Sequence, residues 1–222
     1  MRESLLPRRR SRSLQISGAP SGAATWRRLV ASQSGALAVP RALGLDFVLP
    51  PGRWVDLDTL VESTAAGLRD AGVLAPRFAG LDVIVGTKAF GTPSGVRIRD
   101  LTASEVRTEP PGPVALDVAT SALPRATHRE SKRAWREVLA AGWADAPTLA
   151  GSAWAEVTLA TAGSLLGPLE VVLDALEPVL GRDPRGRDWQ EFFPNDHRIE
   201  WLRVRRDTDG PAVRLRLGGV SS

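Results

Sequence analysis

The chain contains no cysteine and no tyrosine, and it has only two histidines, His128 and His197. The absence of cysteine excludes disulfides, thiolate chemistry and cysteine-based zinc sites. A centre with several histidine ligands is also disfavoured. Any metal is therefore expected to be held by carboxylates, which favour Mg²⁺ or Mn²⁺.

Long apolar runs are missing as well. No stretch approaches the roughly 20 apolar residues of a membrane-spanning helix. The basic N-terminus, "MRESLLPRRRSRS", is not followed by the apolar segment of a secretory signal. We therefore expect a cytoplasmic protein with no membrane partner, and we interpret residues 1–12 as a basic, flexible arm.

Lysine is almost absent, because only Lys88 and Lys132 contribute to the 29 basic residues and the rest are arginine. The formal net charge is +4. Arginine binds phosphate well because its planar guanidinium group donates two hydrogen bonds at once. Nucleic acid is therefore a plausible partner. The same bias is typical of proteins from GC-rich genomes, and on composition alone that is the simpler explanation.

Four segments recur in the same order in the two halves of the chain. They are "TWRRLVAS" at 25–32 and "AWREVLAA" at 134–141, "LGLDFVL" at 43–49 and "WAEVTL" at 154–159, "AAGL" at 65–68 and "LDAL" at 173–176, and "GVRIRDL" at 95–101 and "AVRLRLG" at 212–218. Several matches in one order predict a tandem duplication.

Each half predicts a strand, a helix, a strand, a second helix and two closing strands, so we expect the α+β class. The boundaries are repeat 1 at 13–106, a Pro- and Gly-rich linker at 107–113, and repeat 2 at 114–222. In the second repeat, Pro178 is expected to end the second helix early. That repeat also has an enlarged loop at 181–194, which carries Trp189.

The stretch "VDLDTLVE" at 55–62 places two aspartates at the head of an apolar helix. One interpretation is structural, with Asp58 as the N-cap and Glu62 in the first turn. The other is a metal site, because Asp58 and Glu62 share a helix face with Asp56 close by. Asp46 on the preceding strand would join if its side chain faced that way.

The second half resembles the RusA-like Holliday-junction resolvases in "VVLDALEPVLG…FFPNDHRIEWLRVRR". That family has a helix starting Asp-x-Asp-Asn-Leu, a lysine one turn later, an Asp-Ala-Leu, an acidic pair and a strand x-x-Ile-x-x-Leu-x-Val-x-Lys. The resemblance implies a small α/β homodimer that cuts four-way DNA junctions with magnesium held by aspartates. It spans nearly the whole chain, so it predicts two tandem RusA-like repeats forming a single-chain pseudo-dimer.

Neither half keeps the full family pattern. In the first, the matches are Asp56, Asp58, Leu60 and Lys88, and the departures are Thr59, Glu62, Ala66-Gly67, Arg77 and Phe78. In the second, the matches are Asp174-Ala175-Leu176, Asn195-Asp196, Ile199, Leu202 and Val204, and the departures are Ser164, Leu166 and Glu170.

The resemblance implies catalytic roles for Asp56, Asp58 and Asp196. The candidate ligands for Mg²⁺ or Mn²⁺ are Asp56, Asp58, Glu62, Asp174 and Asp196, and in the second half Glu170 is expected to converge with the last two. We expect any metal to sit at Asp56 and Asp58, rather than in a set shared between the halves.

The basic run "RATHRESKRAWR" at 125–136 is the best candidate for phosphate contact. The predicted DNA-binding residues are Arg125, Arg129, Lys132, Arg133 and Lys88. The expected partner is branched DNA, bound by a monomer that acts as an internal pseudo-dimer.

Other interpretations remain open. One is a binder of branched DNA that has lost catalysis, and another is a protein-interaction module with no nucleic-acid role. Trp189 either stacks on an unpaired base or wedges a junction, or it folds onto its own domain.

Overall fold

A computed structural model of the protein describes residues 12–35, 37–53, 55–122, 129–144 and 146–221. The strands in these residues are β1 (Ser13–Ser17), β2 (Ala42–Leu49), β3 (Val83–Phe90), β4 (Gly95–Asp100), β5 (Leu116–Thr120), β6 (Ala153–Leu159), β7 (Ile199–Arg206) and β8 (Val213–Gly219). The helices are α1 (Ala23–Gln33), α2 (Leu57–Asp70), α3 (Ala103–Val106), α4 (Arg129–Gly142), α5 (Leu169–Asp174) and α6 (Glu177–Leu180). Short 3₁₀ turns cover Pro76–Phe78 and Asp196–Arg198.

The described strands form one sheet in the order β1-β4-β2-β3-β7-β6-β8-β5. Within each half, the outer pairs are antiparallel and the innermost pair, β2–β3 or β6–β7, is parallel. Read inwards from either edge, the two halves therefore follow the same order. They meet where β3 pairs antiparallel with β7, with Val83 opposite Arg205. The mixture of helices with this sheet confirms the predicted α+β class.

The long helices pack on one face of the sheet. Gly86 of β3 permits this on the first half, because a Cβ at that position would lie 2.8 Å from Val61 of α2. The indole of Trp26 in α1 donates to the Thr64 hydroxyl at 2.8 Å, and that of Trp135 in α4 donates to the Val172 carbonyl at 3.3 Å. Both tryptophans are buried, as expected for core residues at matching helix positions.

The connection between the halves crosses the opposite face of the sheet. Residues 101–115 start beside β4, where Glu105 pairs with Arg99, and end beside β8, where the Ala115 amide donates to the Leu217 carbonyl. Midway, the Arg203 guanidinium of β7 donates to the carbonyls of Val106 and Thr108. The predicted linker, 107–113, contains no helix or strand. It is fixed to the sheet by these bonds.

A buried ion pair underlies that crossing. Glu156 on β6 is 1% exposed and accepts hydrogen bonds from Arg203, one of them 2.6 Å long. Arg205 and Arg216 lie 3.7 and 3.5 Å from its other oxygen. Several cations therefore share one buried carboxylate on this face of the sheet.

The second helices of the two halves differ in length. α2 runs to Asp70, whereas α5 ends at Asp174. Pro178 does not stop α5, because it lies in the first turn of the separate helix α6. No helix in the described part of the chain is long and apolar enough to cross a membrane.

Candidate functional site

The paired aspartates of the first half lie at the start of α2 without acting as a side-chain cap. The helix begins at Leu57, so Asp56 occupies the N-cap position and its side chain makes no capping hydrogen bond. Asp58 lies inside the first turn and is 9% exposed. The prediction that Asp58 is the N-cap is therefore wrong by two positions. Helix capping does not explain why two aspartates occupy this helix start.

Carboxylates of the second half approach this pair. Asp174 ends α5, and Asp196 opens the 3₁₀ turn that leads into β7. Since β7 lies beside β3 at the centre of the sheet, the turn before it lies next to the start of α2. Asp196 lies near Asp56, whose carboxylate raises the pKa of Asp196. We call Asp56, Asp58, Glu62, Asp174 and Asp196 the carboxylate cluster.

Burial raises the pKa values of the first-half acids. The pKa of Asp58 rises from 3.8 to about 6, chiefly through burial and further through the charges of Asp56 and Asp174, while an amide hydrogen bond from Thr59 opposes the rise. The pKa of Glu62 rises from 4.5 to about 7, again chiefly through burial and then through Asp58 and two second-half acids. The electrostatic coupling thus crosses between the halves.

The second-half acids show the same effect. The pKa of Asp196 is raised well above its usual range by burial and by the charges of Asp56, Asp58 and Asp174. The pKa of Asp174 is also raised by burial, although an ion pair with Lys132 opposes this. Burial and mutual repulsion thus both disfavour the ionised forms of these acids, so the cluster would attract a proton or a cation.

The third acidic position of the family pattern is lost from the first half. Arg77 and Phe78 occupy it, both with positive φ, at 56° and 57°. Phe78 is 7% exposed and the Arg69 guanidinium lies 5.7 Å from its ring centre. This turn packs into the core of its own half, so the acid near Asp56 and Asp58 comes from the other half as Asp196. The expectation that a metal sits at Asp56 and Asp58 stays a prediction.

The positive charge of Lys132 offsets negative charge only among the acids of the second half. Its ammonium forms ion pairs with Asp174 and, at 3.2 Å, with Glu170. Glu170 and Asp174 thus share this lysine, and their predicted convergence with Asp196 as metal ligands stays a prediction. Ala23 lines the cavity beside Glu62 on the first helix, where it matches the position of Lys132 when Trp26 is aligned with Trp135.

Lys88 lies under the cluster and is only 4% exposed. Its ammonium donates to the Val55 carbonyl at 3.1 Å and to the His197 carbonyl. Burial lowers its pKa, and the charges of Asp56, Glu200 and Asp196 oppose that shift. The predicted role of Lys88 in DNA binding does not fit this burial, because the side chain instead ties the chain before α2 to the turn before β7.

Asp46 does not join the carboxylate cluster. It accepts hydrogen bonds from Arg99 at 2.9 Å and Thr87 at 3.0 Å, on the face of the sheet away from α2. Its neighbours on β2, Leu45 and Phe47, are buried and point to the opposite face.

The predicted phosphate-contacting patch is partly neutralised. Arg129 and Arg133 remain 66% and 54% exposed, yet both pair with Glu191 from the enlarged loop. Lys132 faces the carboxylate cluster, and Arg125 lies outside the described residues. The DNA-binding role of these residues stays a prediction.

The enlarged loop brings a second charged group to the rim of the cluster. Asp183 is 2% exposed and accepts from Arg185 at 3.0 Å, and it lies 3.1 Å from His197 Nδ1. The pKa of Asp183 falls to about 2, chiefly through Arg185. The pKa of Arg185 is raised, first by Asp183 and further by the charges of Asp56 and Asp196.

Sequence reasoning located this loop but missed Asp183 and Arg185. The only signal was the charged composition "GRDPRGRD", which does not reveal that the loop folds back on the turn at His197.

The cluster has the donor chemistry of a magnesium or manganese site, since all its ligands are carboxylate oxygens. In the described part of the chain, however, no three acidic or histidine side chains already form a ligand set. The charge of Asp56 acts on Asp58 and on Asp196, and the charge of Asp58 acts on Asp196.

Comparison with known proteins does not identify a family for this chain. Neither the scan of protein-family models nor the search of curated proteins returned a match.

Proposed function

We propose that this protein is a RusA-like, magnesium-dependent endodeoxyribonuclease that cuts branched DNA, such as Holliday junctions, in recombination and repair in the cytoplasm. We further propose that tandem duplication produced it as a single-chain pseudo-dimer that works as a monomer. The observation that supports this most directly is the carboxylate cluster, to which both halves contribute at their boundary.

The order of the sheet supports the pseudo-dimer. Two halves with the same strand order that meet through an antiparallel β3–β7 pair resemble two copies of one fold related by a two-fold axis. In a homodimer each copy would carry its own site. Here the first half keeps Asp56 and Asp58, and the second keeps Asp196, so one composite site fits the chain better than two.

Phosphodiester hydrolysis fits the chemistry of these residues. Asp56, Asp58 and Asp196 would hold Mg²⁺, which supplies an activated water and stabilises charge on the phosphate. Glu62, with a pKa of about 7, is suited to exchange a proton near neutral pH. Arg185 at the rim adds a half-exposed positive charge near the cluster, although it already pairs with Asp183.

A non-catalytic binder of branched DNA is the second candidate. The observation that favours it is the loss of part of the family pattern from each half, with Arg77 and Phe78 in the first and Ser164 and Leu166 in the second. In that case the cluster would bind a cation loosely or hold a proton, and the fold would serve DNA recognition alone.

Cleavage of a synthetic four-way junction with Mg²⁺ or Mn²⁺ tests the proposal. Because second-shell changes at metal sites already cost about 10- to 100-fold, Asp56→Asn, Asp58→Asn and Asp196→Asn should each lower cleavage by at least about 100-fold. Asp70→Asn is the matched control, since Asp70 lies on α2 but pairs with Arg27 at the surface. It should cleave like the wild type.

The other outcomes separate the candidates. Junction binding without cleavage by the wild type would favour the non-catalytic binder. Cleavage that survives all three cluster substitutions would show that these aspartates are structural, and the proposed site would be wrong.

A further inference from the structure

An aromatic side chain projects from the enlarged loop beside the carboxylate cluster. Trp189 is 73% exposed, the most exposed of the large hydrophobic residues in the described part of the chain. Burying a large aromatic side chain typically contributes about 1.5–3 kcal/mol, so leaving it in solvent forgoes that stabilisation. Trp135 and Trp154, by contrast, are almost completely buried.

The loop holds Trp189 outwards by a network of hydrogen bonds. The base of the loop is closed by Asp183 N to Phe193 O at 3.0 Å and Asn195 N to Gly181 O at 2.9 Å. Arg182 reaches into the loop and donates to the carbonyls on either side of the tryptophan, Arg187 and Gln190, at 2.7 Å each. These bonds hold the backbone on both sides of Trp189, whose side chain is exposed to solvent.

Trp189 borders an open cavity of about 540 Å³ between the enlarged loop and α4. That volume lies within the range of about 300–1,000 Å³ that is usual for small-molecule sites. The cavity is also lined by Arg129, Lys132, Asp174 and Glu191. One of these, Asp174, belongs to the carboxylate cluster.

The charged side chains that line the cavity neutralise one another in ion pairs. Arg129 pairs with Glu191, and Lys132 pairs with Asp174. A wall with this balance attracts a phosphate weakly, but it offers donors and acceptors to the edge of a neutral heterocycle. Gln190 adds an amide to the lining.

The matching cavity of the first half lacks these features. It is smaller, about 360 Å³, and the described residues that line it include Ala23, Ala24 and Ala66 and none that is aromatic. The enlarged loop therefore gives the cavity of the second half an aromatic surface on which a base could stack.

We propose that this cavity binds one unpaired nucleobase of a DNA strand, stacked on Trp189, with the adjoining sugar-phosphate directed towards the carboxylate cluster. This inference rests on the proposed function for its substrate, DNA. It adds a preference for strands with unpaired bases, as at the centre of a branched structure. A paired base presents no open face to the indole.

Binding of short labelled oligonucleotides in EDTA tests the base site without cleavage. The probes are an oligothymidylate, a duplex of the same length, and an abasic strand with the same number of phosphates. Since base stacking on an aromatic residue is worth about 1–3 kcal/mol, Trp189→Ala should weaken oligothymidylate binding about 10-fold. It should leave duplex and abasic binding unchanged.

Two further variants control the result. Trp189→Phe keeps an aromatic face and should restore most of the affinity. Val39→Ala truncates another exposed apolar residue, 61% exposed in the first half, and should have no effect. Oligothymidylate affinity unchanged by Trp189→Ala, or an equal loss for the abasic strand, would overturn the proposal.

The base site and the nuclease proposal fail separately. If the wild type does not cut junctions but Trp189→Ala loses oligothymidylate affinity, the nuclease proposal fails and the base site stands. If the wild type cuts junctions and Trp189→Ala binds single strands as well as the wild type, only the base site is wrong.

Discussion

Replacing Asp58 by asparagine distinguishes a capping residue from a member of a crowded carboxylate cluster. A capping or dipole-stabilising aspartate in the first turn of a helix typically contributes about 0.3–1 kcal/mol to stability when ionised. Asp58 instead has a pKa raised to about 6. Its charge therefore opposes folding, and removing that charge is expected to stabilise the protein in the absence of divalent cations.

The size and sign of this effect follow from the pKa shift. A rise from 3.8 to about 6, at 1.36 kcal/mol per pH unit, corresponds to about 3 kcal/mol. The destabilisation is absent below about pH 3.8, grows as the pH rises to about 6, and is complete above that value. Asparagine keeps an acceptor for the Thr59 amide. We therefore expect Asp58→Asn to gain about 1–3 kcal/mol at pH 7.5 and little at pH 4.

Urea unfolding followed by tryptophan fluorescence, in EDTA at both pH values, measures the free energy of unfolding. Asp70→Asn is the control on the same helix. The pKa of Asp70 is lowered, chiefly by its hydrogen bond with Arg27, so this variant should be less stable than the wild type at pH 7.5. If Asp58→Asn loses 1 kcal/mol or more at pH 7.5, Asp58 stabilises the helix and the cluster argument is refuted.

Three further predictions concern other parts of the molecule. Lys132→Met removes the cation that faces Asp174 and Glu170, so it should destabilise the protein by about 1–3 kcal/mol at neutral pH and less in acid, as urea unfolding will show. Glu156→Gln breaks the buried pair with Arg203 and should cost about 3 kcal/mol; an unchanged unfolding midpoint would contradict this. Junction affinity, measured by fluorescence anisotropy, should fall steeply as salt rises, and junctions should compete better than linear duplex. A flat salt response would favour a protein-interaction module.

The sequence predicts the elements of the fold well where local patterns decide them. Apolar spacing places β6 at the observed residues and α2 within two residues of its end. The recurrence of four segments anticipates the repeated strand order. Pro178 was expected to end the second helix of the second half, but α5 ends at Asp174 and Pro178 lies in the first turn of the separate helix α6. Local helix signals do not locate this break.

The candidate site was predicted only in part for a similar reason. Asp56, Asp58 and Asp196 could be selected from their spacing and the family resemblance, but their proximity depends on the β3–β7 pairing at the centre of the sheet. That pairing joins residues far apart in the sequence, and no motif encodes it. The burial of Lys88 and the fold of the Asp183–Arg185 loop are also tertiary effects.

Titration with Mn²⁺, followed by the loss of its free-ion electron paramagnetic resonance signal, tests the shared site most directly. The measurement compares the wild type with Asp58→Asn in the first half, Asp196→Asn in the second, and Asp70→Asn as control. The account predicts one Mn²⁺ per chain, bound by the wild type and the control and lost in both cluster variants. Binding that survives Asp196→Asn, or two independent sites per chain, would contradict a single site built from both halves.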